Sequence, residues 1–166
     1  MGFLDFIKEA GEKITGGDEA EAAAPRQAPT QSPEEIKSFH NRRRAMGLVK
    51  VIEAHGFEIE DLSVRVDDDL ATVSGKVTDQ ATREKVLLAV GNTEGIARVD
   101  DQLEVEAPEP EAQFHTVVSG DTLGAIAKTY YGNAGKYPVI FEANKPMLTD
   151  PDKIYPGQVL RIPPIE

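Results

Sequence analysis

The side chains with chemical reach are few and far apart in this chain. The histidines are His40, His55 and His115. None lies four residues from another, the spacing that sets two ligands on one helix face. They read as ordinary surface or capping residues. Asp67-Asp68-Asp69 has the charge of a calcium loop. It lacks the alternating D-x-D-x-D-G and the distal bidentate Glu, and reads as a hairpin tip. GNTEG, residues 91–95, has two glycines but no Lys-Ser/Thr after them, so it is not a phosphate loop. Arg42-Arg43-Arg44 is a short basic run on an acidic chain and reads as a solvated face. There is no cysteine, which removes disulfides, thiol catalysis and Cys-based zinc sites. No nucleophile, metal cluster or acid–base pair can be assembled, and the chain is not expected to be an enzyme.

The elements that carry these residues belong to an acidic chain of 166 residues. Its 18 basic and 29 acidic residues leave a net charge of −11. Nucleic acids and anionic membranes need positive potential, so neither is an expected partner. No window approaches the ~20 apolar residues of a membrane span. The opening stretch, MGFLDFIKEAGEKITGG, is apolar at first but is cut by Asp5, Lys8, Glu9, Glu12 and Lys13. It therefore does not fit a secretory signal. Gly2 would begin a myristoylation motif, but Phe6 stands where Ser or Thr is needed. Phe3, Phe6, Ile7, Ala10 and Ile14 recur at spacings of three and four. That spacing predicts one apolar stripe on a short helix over residues 1–15. The stripe suits a membrane surface or the protein's own body. Its mixed polar face favours the body, since membrane-surface helices are usually basic there. A cytoplasmic location is expected, and membrane association is not.

Two joints divide the rest. Residues 16–33, rich in Ala, Pro, Gln and acid, read as a flexible linker. APEPEAQ, 107–113, reads as a stiff, extended spacer. Two bodies remain, 34–106 and 114–166. The first begins with Ser32 as N-cap and Pro33 as first helical residue. Ile36, Phe39, Met46, Val49 and Ile52 follow as the apolar stripe of a helix ending near Gly56. Leu62, Val64 and Val66, then Ala71, Val73, Gly75 and Val77, alternate as a hairpin. Thr78 or Asp79 caps a second helix, closed by Gly91. A third strand runs from Ile96 to Val105. The order αββαβ predicts an α+β layer, a small sheet with helices on one face. The second body reads βααβ: a strand from His115 to Val118, a helix capped by Asp121, a break at Tyr131-Gly132-Asn133, a second helix with Val139, Ile140 and Phe141, and a last strand from Val159 to Ile162.

Residues 44–106 resemble a BON domain. The resemblance rests on the strand ending V-x-G at Val73 and Gly75, and on the following helix closing V-G-N-x-x-G-I-x-x-V-D-D. It implies a lipid- or ligand-binding module. Residues 114–166 resemble a LysM domain through V-x-S-G-D-T-L, I-F-E-A-N and I-Y-P-G-Q-V-L-R-I-P. This implies a groove for N-acetylglucosamine polymers such as peptidoglycan. Carried over, Gly120, Asp121, Thr122 and Leu123 face Asn144, Lys145, Pro146 and Met147. Several of these residues also have structural work, Asp121 as a cap and Leu123 in packing, and the groove is open to glycan, to an unidentified protein, or to no ligand.

The combination is similar to a family of bacterial BON–LysM potassium-binding proteins. The likeness extends to G-F-L-D-F-I-K-E-A-G-E-K at the start and to F-E-A-N-K-P-M-L near the end. It implies K+ as the ligand, bound in preference to Na+ with a change of shape. Neutral carbonyl oxygens suit a large, weakly hydrated ion, whereas carboxylates favour harder ones. Helix C-termini offer unpaired carbonyls and the negative end of the helix dipole. The family's backbone site would then fall on the carbonyls of Ile7, Ala10, Gly91, Thr93 and Ile96. The other reading of these residues is a plain helix stop and turn.

Overall fold

The computed structural model describes residues 3–5 and 31–165. Ser32 starts helix α1, Pro33–Ala54. Its hydroxyl accepts from the Glu35 N–H at 3.2 Å, while the Glu35 carboxylate accepts from the Ser32 N–H at 2.8 Å. This reciprocal cap satisfies two amides that a helix start leaves without partners.

Strand β1, Phe3–Asp5, precedes α1; β2, Glu60–Asp67, and β3, Leu70–Asp79, follow it as an antiparallel hairpin. Helix α2, Gln80–Gly91, then crosses to β4, Arg98–Ala107, which lies parallel to β3. The sheet order is β1-β4-β3-β2. Both helices cover one face: α1 meets β2 and α2, and α2 meets β3 and β4. Ile52, Val73, Val86, Val90, Ile96 and Val99 are fully buried between the layers. Each buried aliphatic chain of this size contributes roughly 1.5–3 kcal/mol. The V-x-G glycine has a steric reason. A Cβ on Gly75, at φ +147, would stand 2.9 Å from the Glu60 carbonyl and 2.7 Å from the Ile59 side chain. The α+β order expected for this half is present.

Three expectations change. Phe3–Asp5 form a strand rather than part of a helix over 1–15, pairing antiparallel with Asp100, Val99 and Arg98. Without them the start of β4 would present open backbone groups, and three extended residues meet that need. The rest of that stretch lies outside the described residues. The α1 stripe is only half used. Leu48 and Ile52 are buried, but Ile36, Phe39 and Met46 are 43%, 54% and 61% exposed. The first half of α1 instead presents Lys37, Asn41 and Arg44 to the β2–β3 turn. The third strand starts at Arg98 and leaves Ile96 in the preceding turn.

The second half pairs β5, Gln113–Thr116, antiparallel with β6, Val159–Ile162. Between them lie α3, Leu123–Tyr131, a 3-10 turn, Ala134–Lys136, and α4, Tyr137–Ala143. Thr122, not Asp121, caps α3, accepting from the Ala125 N–H at 3.1 Å. Gly132, at φ +71, closes α3. Leu123, Ile126, Ile140, Leu160 and Ile162 form this half's own core.

Residues 108–112 join the halves without helix or strand, and the halves also pack directly on each other. Val159 belongs to the core of the first half, with Phe114 and Met147 packed against it. Glu84 of α2 (2% exposed) is ion-paired with Arg161 of β6 (9% exposed) through the guanidinium Nε. Its other oxygen accepts from the Ala112 N–H at 2.9 Å and from Gln80 Nε2 at 3.0 Å. Arg83 pairs with Asp101 at 2.6 Å and reaches Glu111 at 4.0 Å. Thus α2 anchors the connecting segment as well as the sheet. Burial, followed by the charge of Arg161, lowers the Lys85 pKa from its usual value.

Candidate functional site

The connection from α2 to β4 is a tight turn of backbone groups. Gly91 remains helical, and Asn92 is the C-cap at φ −80, its N–H bonded to Leu88 O at 2.8 Å. The Thr93 N–H bonds Val90 O at 3.1 Å, and its hydroxyl donates to Ala89 O at 2.8 Å. Gly95, at φ +84, reverses the chain, and the Ile96 N–H closes on Thr93 O at 3.2 Å. The glycine that supplies the left-handed conformation is therefore Gly95 rather than Gly91. Gly91, Thr93 and Ile96 come together in this turn, with Gly91 and Ile96 buried. Ile7 and Ala10 lie outside the described residues. Strand β1 ends with Asp5 opposite Arg98, two positions from Ile96, and β1 runs toward the turn.

Arg44 ties this turn to the β2–β3 turn. Its guanidinium donates to the carbonyls of Gly95 and Asp68. Lys37 adds ion pairs to Asp67 at 3.2 Å and Asp68 at 2.9 Å, and Asn41 Nδ2 donates to Asp67 at 3.4 Å. Arg42 and Arg43 are exposed as expected, but Arg44 is half-buried and committed. The signal was present in the sequence as Lys37, Asn41 and Arg44, spaced four and three apart, with a triple-Asp turn to receive them.

The carried-over groove residues separate by role. Leu123 is buried in the core. Asn144 donates to Ile140 O at 2.7 Å and Arg161 O at 2.8 Å, and accepts from the Arg161 N–H at 2.7 Å. Its side chain is spent on the fold. Lys145 pairs with Glu142 at 2.6 Å and lies 4.6 Å from the centre of the Phe141 ring. Pro146 follows a cis bond. Met147 packs on the first half's core and lines a cleft of about 260 Å³ between the halves, with His55, Leu88, Asn92, Thr93 and Tyr155. Gly120 and Thr122 are exposed. Asp121 accepts from the Val118 N–H at 3.0 Å and meets His115 Nε2 at 2.8 Å, while His115 Nδ1 lies 3.2 Å from the Tyr130 hydroxyl. The hydrogen bond to His115, then that from Val118, holds the Asp121 carboxyl below its usual range.

Among the described residues no group of three or more His, Cys, Asp or Glu stands together as a metal cluster. No described helix is long and apolar enough to cross a membrane.

These features define a two-domain protein: residues 45–107 match the BON domain family and residues 115–163 the LysM domain family. The chain belongs to the BON–LysM family that includes Potassium binding protein Kbp of Escherichia coli O6:H1, with which it is 44% identical over 163 residues, 98% of this chain and 99% of that relative. Shorter likenesses reach an esterase of Mycobacterium tuberculosis, 47% identical over 53 residues, and an uncharacterized protein of Deinococcus radiodurans, 47% identical over 49 residues. They span 32% and 30% of this chain, and 11% and 19% of those proteins.

Proposed function

We propose that the chain binds K+ through backbone carbonyls of the α2–β4 turn and changes conformation on binding, acting as an ion sensor in the cytoplasm. The observation that carries this reading is the whole-length identity to a protein named for potassium binding. The turn adds a physical basis. A helix C-terminus brings carbonyl oxygens and the negative end of its dipole, and Gly95 lets the chain fold back over them. Gly91, Thr93 and Ile96 are the carbonyls assigned here. The Gly95 carbonyl, outside this set, accepts from the Arg44 guanidinium. Ile7 and Ala10 complete the set from the opening segment. The direction of β1 supports this, because Asp5 is paired beside the turn and Ile7 is two residues further along.

A glycan-binding reading through the LysM half has narrower support, from the exposed Gly120 and Thr122 at the start of α3. Asn144 and Leu123 are already used by the fold, so a glycan would contact chiefly the 119–122 loop.

The test is thermal unfolding in KCl and in NaCl at equal ionic strength. A ligand at 100 times its Kd stabilises the folded state by about 2.7 kcal/mol. A higher midpoint in KCl is expected, and equal midpoints at millimolar salt overturn the reading.

A further inference from the structure

Asn92 lies inside the candidate turn, between Gly91 and Thr93, yet its side chain leaves the BON half altogether. Its Nδ2 donates to Val159 O at 2.9 Å, and its Oδ1 accepts from the Val159 N–H at 2.9 Å. One side-chain amide thus satisfies both backbone groups of a residue 67 positions away. Val159 is no loose partner. It is paired with Thr116 in the LysM sheet and counts among the buried residues of the BON core. The backbone of Asn92 is fixed as well, by its N–H to Leu88 O at 2.8 Å. The middle of the turn is therefore held from two sides, by its own helix and by the second domain.

We infer that Asn92 is a positioning residue that sets the K+-over-Na+ selectivity of the turn by bracing its backbone against β6. This rests on the K+-binding reading above. The Asn92 side chain donates nothing to the ion. It limits how far the carbonyls on either side of it can close in. A carbonyl set that can shrink suits the smaller Na+ as well, and one held open favours K+. The LysM domain enters through the brace alone, so its contribution to ion choice passes through one amide. Glu84 and Arg161 secure the same interface further back along α2, which keeps Val159 in place when the Asn92 contact is altered.

The experiment is calorimetric titration of the full chain with KCl and with NaCl at matched ionic strength, for the native protein, Asn92→Ala and Asn92→Gln. Asn92→Gln keeps a neutral amide with donor and acceptor on a side chain one methylene longer, so it remains informative if Asn92→Ala does not fold. The expected result is a fall in the K+/Na+ affinity ratio of about fivefold in Asn92→Ala, the size of one net hydrogen bond. Most of that fall comes from tighter Na+ binding, and Asn92→Gln shows a smaller fall. A purely structural role would change melting midpoints and leave the ratio in the folded protein untouched. An unchanged ratio in the folded variants, with the native protein preferring K+, overturns the inference alone. A native protein without K+ preference overturns the parent reading and this one with it.

Discussion

Asn92 and Asn144 grip the same strand two residues apart. Asn92 pairs with both backbone groups of Val159, and Asn144 with both backbone groups of Arg161. Alternate residues of a strand direct their N–H and C=O to the same side. The two amides therefore cap the edge of β6 that faces away from β5. One cap comes from the LysM domain itself and the other from the BON domain. A two-stranded sheet left open along that edge would have unpaired backbone groups, and here two side chains take the place of a third strand.

Replacing Asn144 should show what such a cap contributes. Asn144→Ala removes three hydrogen bonds and leaves the buried N–H and C=O of Arg161 unmatched. A loss of about 2–4 kcal/mol is expected from stranded buried groups of this kind. Urea unfolding would measure it, and a loss under 1 kcal/mol would mean that water replaces the amide readily.

The Glu84–Arg161 pair makes a different demand. Removing either partner leaves a buried charge without compensation, at a cost of about 3–5 kcal/mol. Glu84→Ala or Arg161→Ala should destabilise by that amount and split one unfolding transition into two. The double replacement Glu84→Gln with Arg161→Met should recover much of the loss. Additive losses in the double variant would argue that the two side chains act independently.

The loop before α3 should respond to acid. The folded-state pKa of Asp121 is lowered by the hydrogen bond to His115. Its stabilising contribution is thus present above the unfolded carboxylate pKa of about 3.9. It is lost as pH falls through the lower folded value. Asp121→Asn should flatten the acid limb of the stability curve, measured by melting from neutral pH downward. An acid limb identical to the native one would show that other carboxylates control it.

Deleting residues 1–16 tests the second half of the proposed ligand set. The chain without them gives up the β1 pairing to β4 but is expected to fold, because the described core residues of both halves lie between positions 45 and 162. Its melting midpoint should no longer distinguish KCl from NaCl. A retained KCl shift would confine the site to the turn and remove Ile7 and Ala10 from it.

Much of the architecture was legible in the sequence because it repeats with the period of its elements. The alternation of Leu62, Val64 and Val66 against Ala71, Val73 and Val77 marked the hairpin. Ser32 and Pro33 marked the start of α1. Long-range pairing left no such trace. Glu84 and Arg161 look like ordinary surface charges, and 77 residues separate them. The exposed half of α1 misled because a helical stripe does not say where its covering sheet ends. Three residues, Phe3–Asp5, are too few for any period to separate strand from helix. The turn was found as a place in the sequence, but its mechanics were not: Gly95 rather than Gly91 makes the reversal, and Arg44 already holds one of its carbonyls.

The shared core around Val159 bears on how freely these domains could be recombined. Two independent beads on a string could be restrung in any order. A LysM bead cut from this chain would carry a bare patch of Phe114, Met147 and Val159, and a guanidinium shaped to sit against one particular glutamate. Placed beside another neighbour, it would need a new surface before it needed a new ligand. In this chain the second domain has become a fitted part of the first.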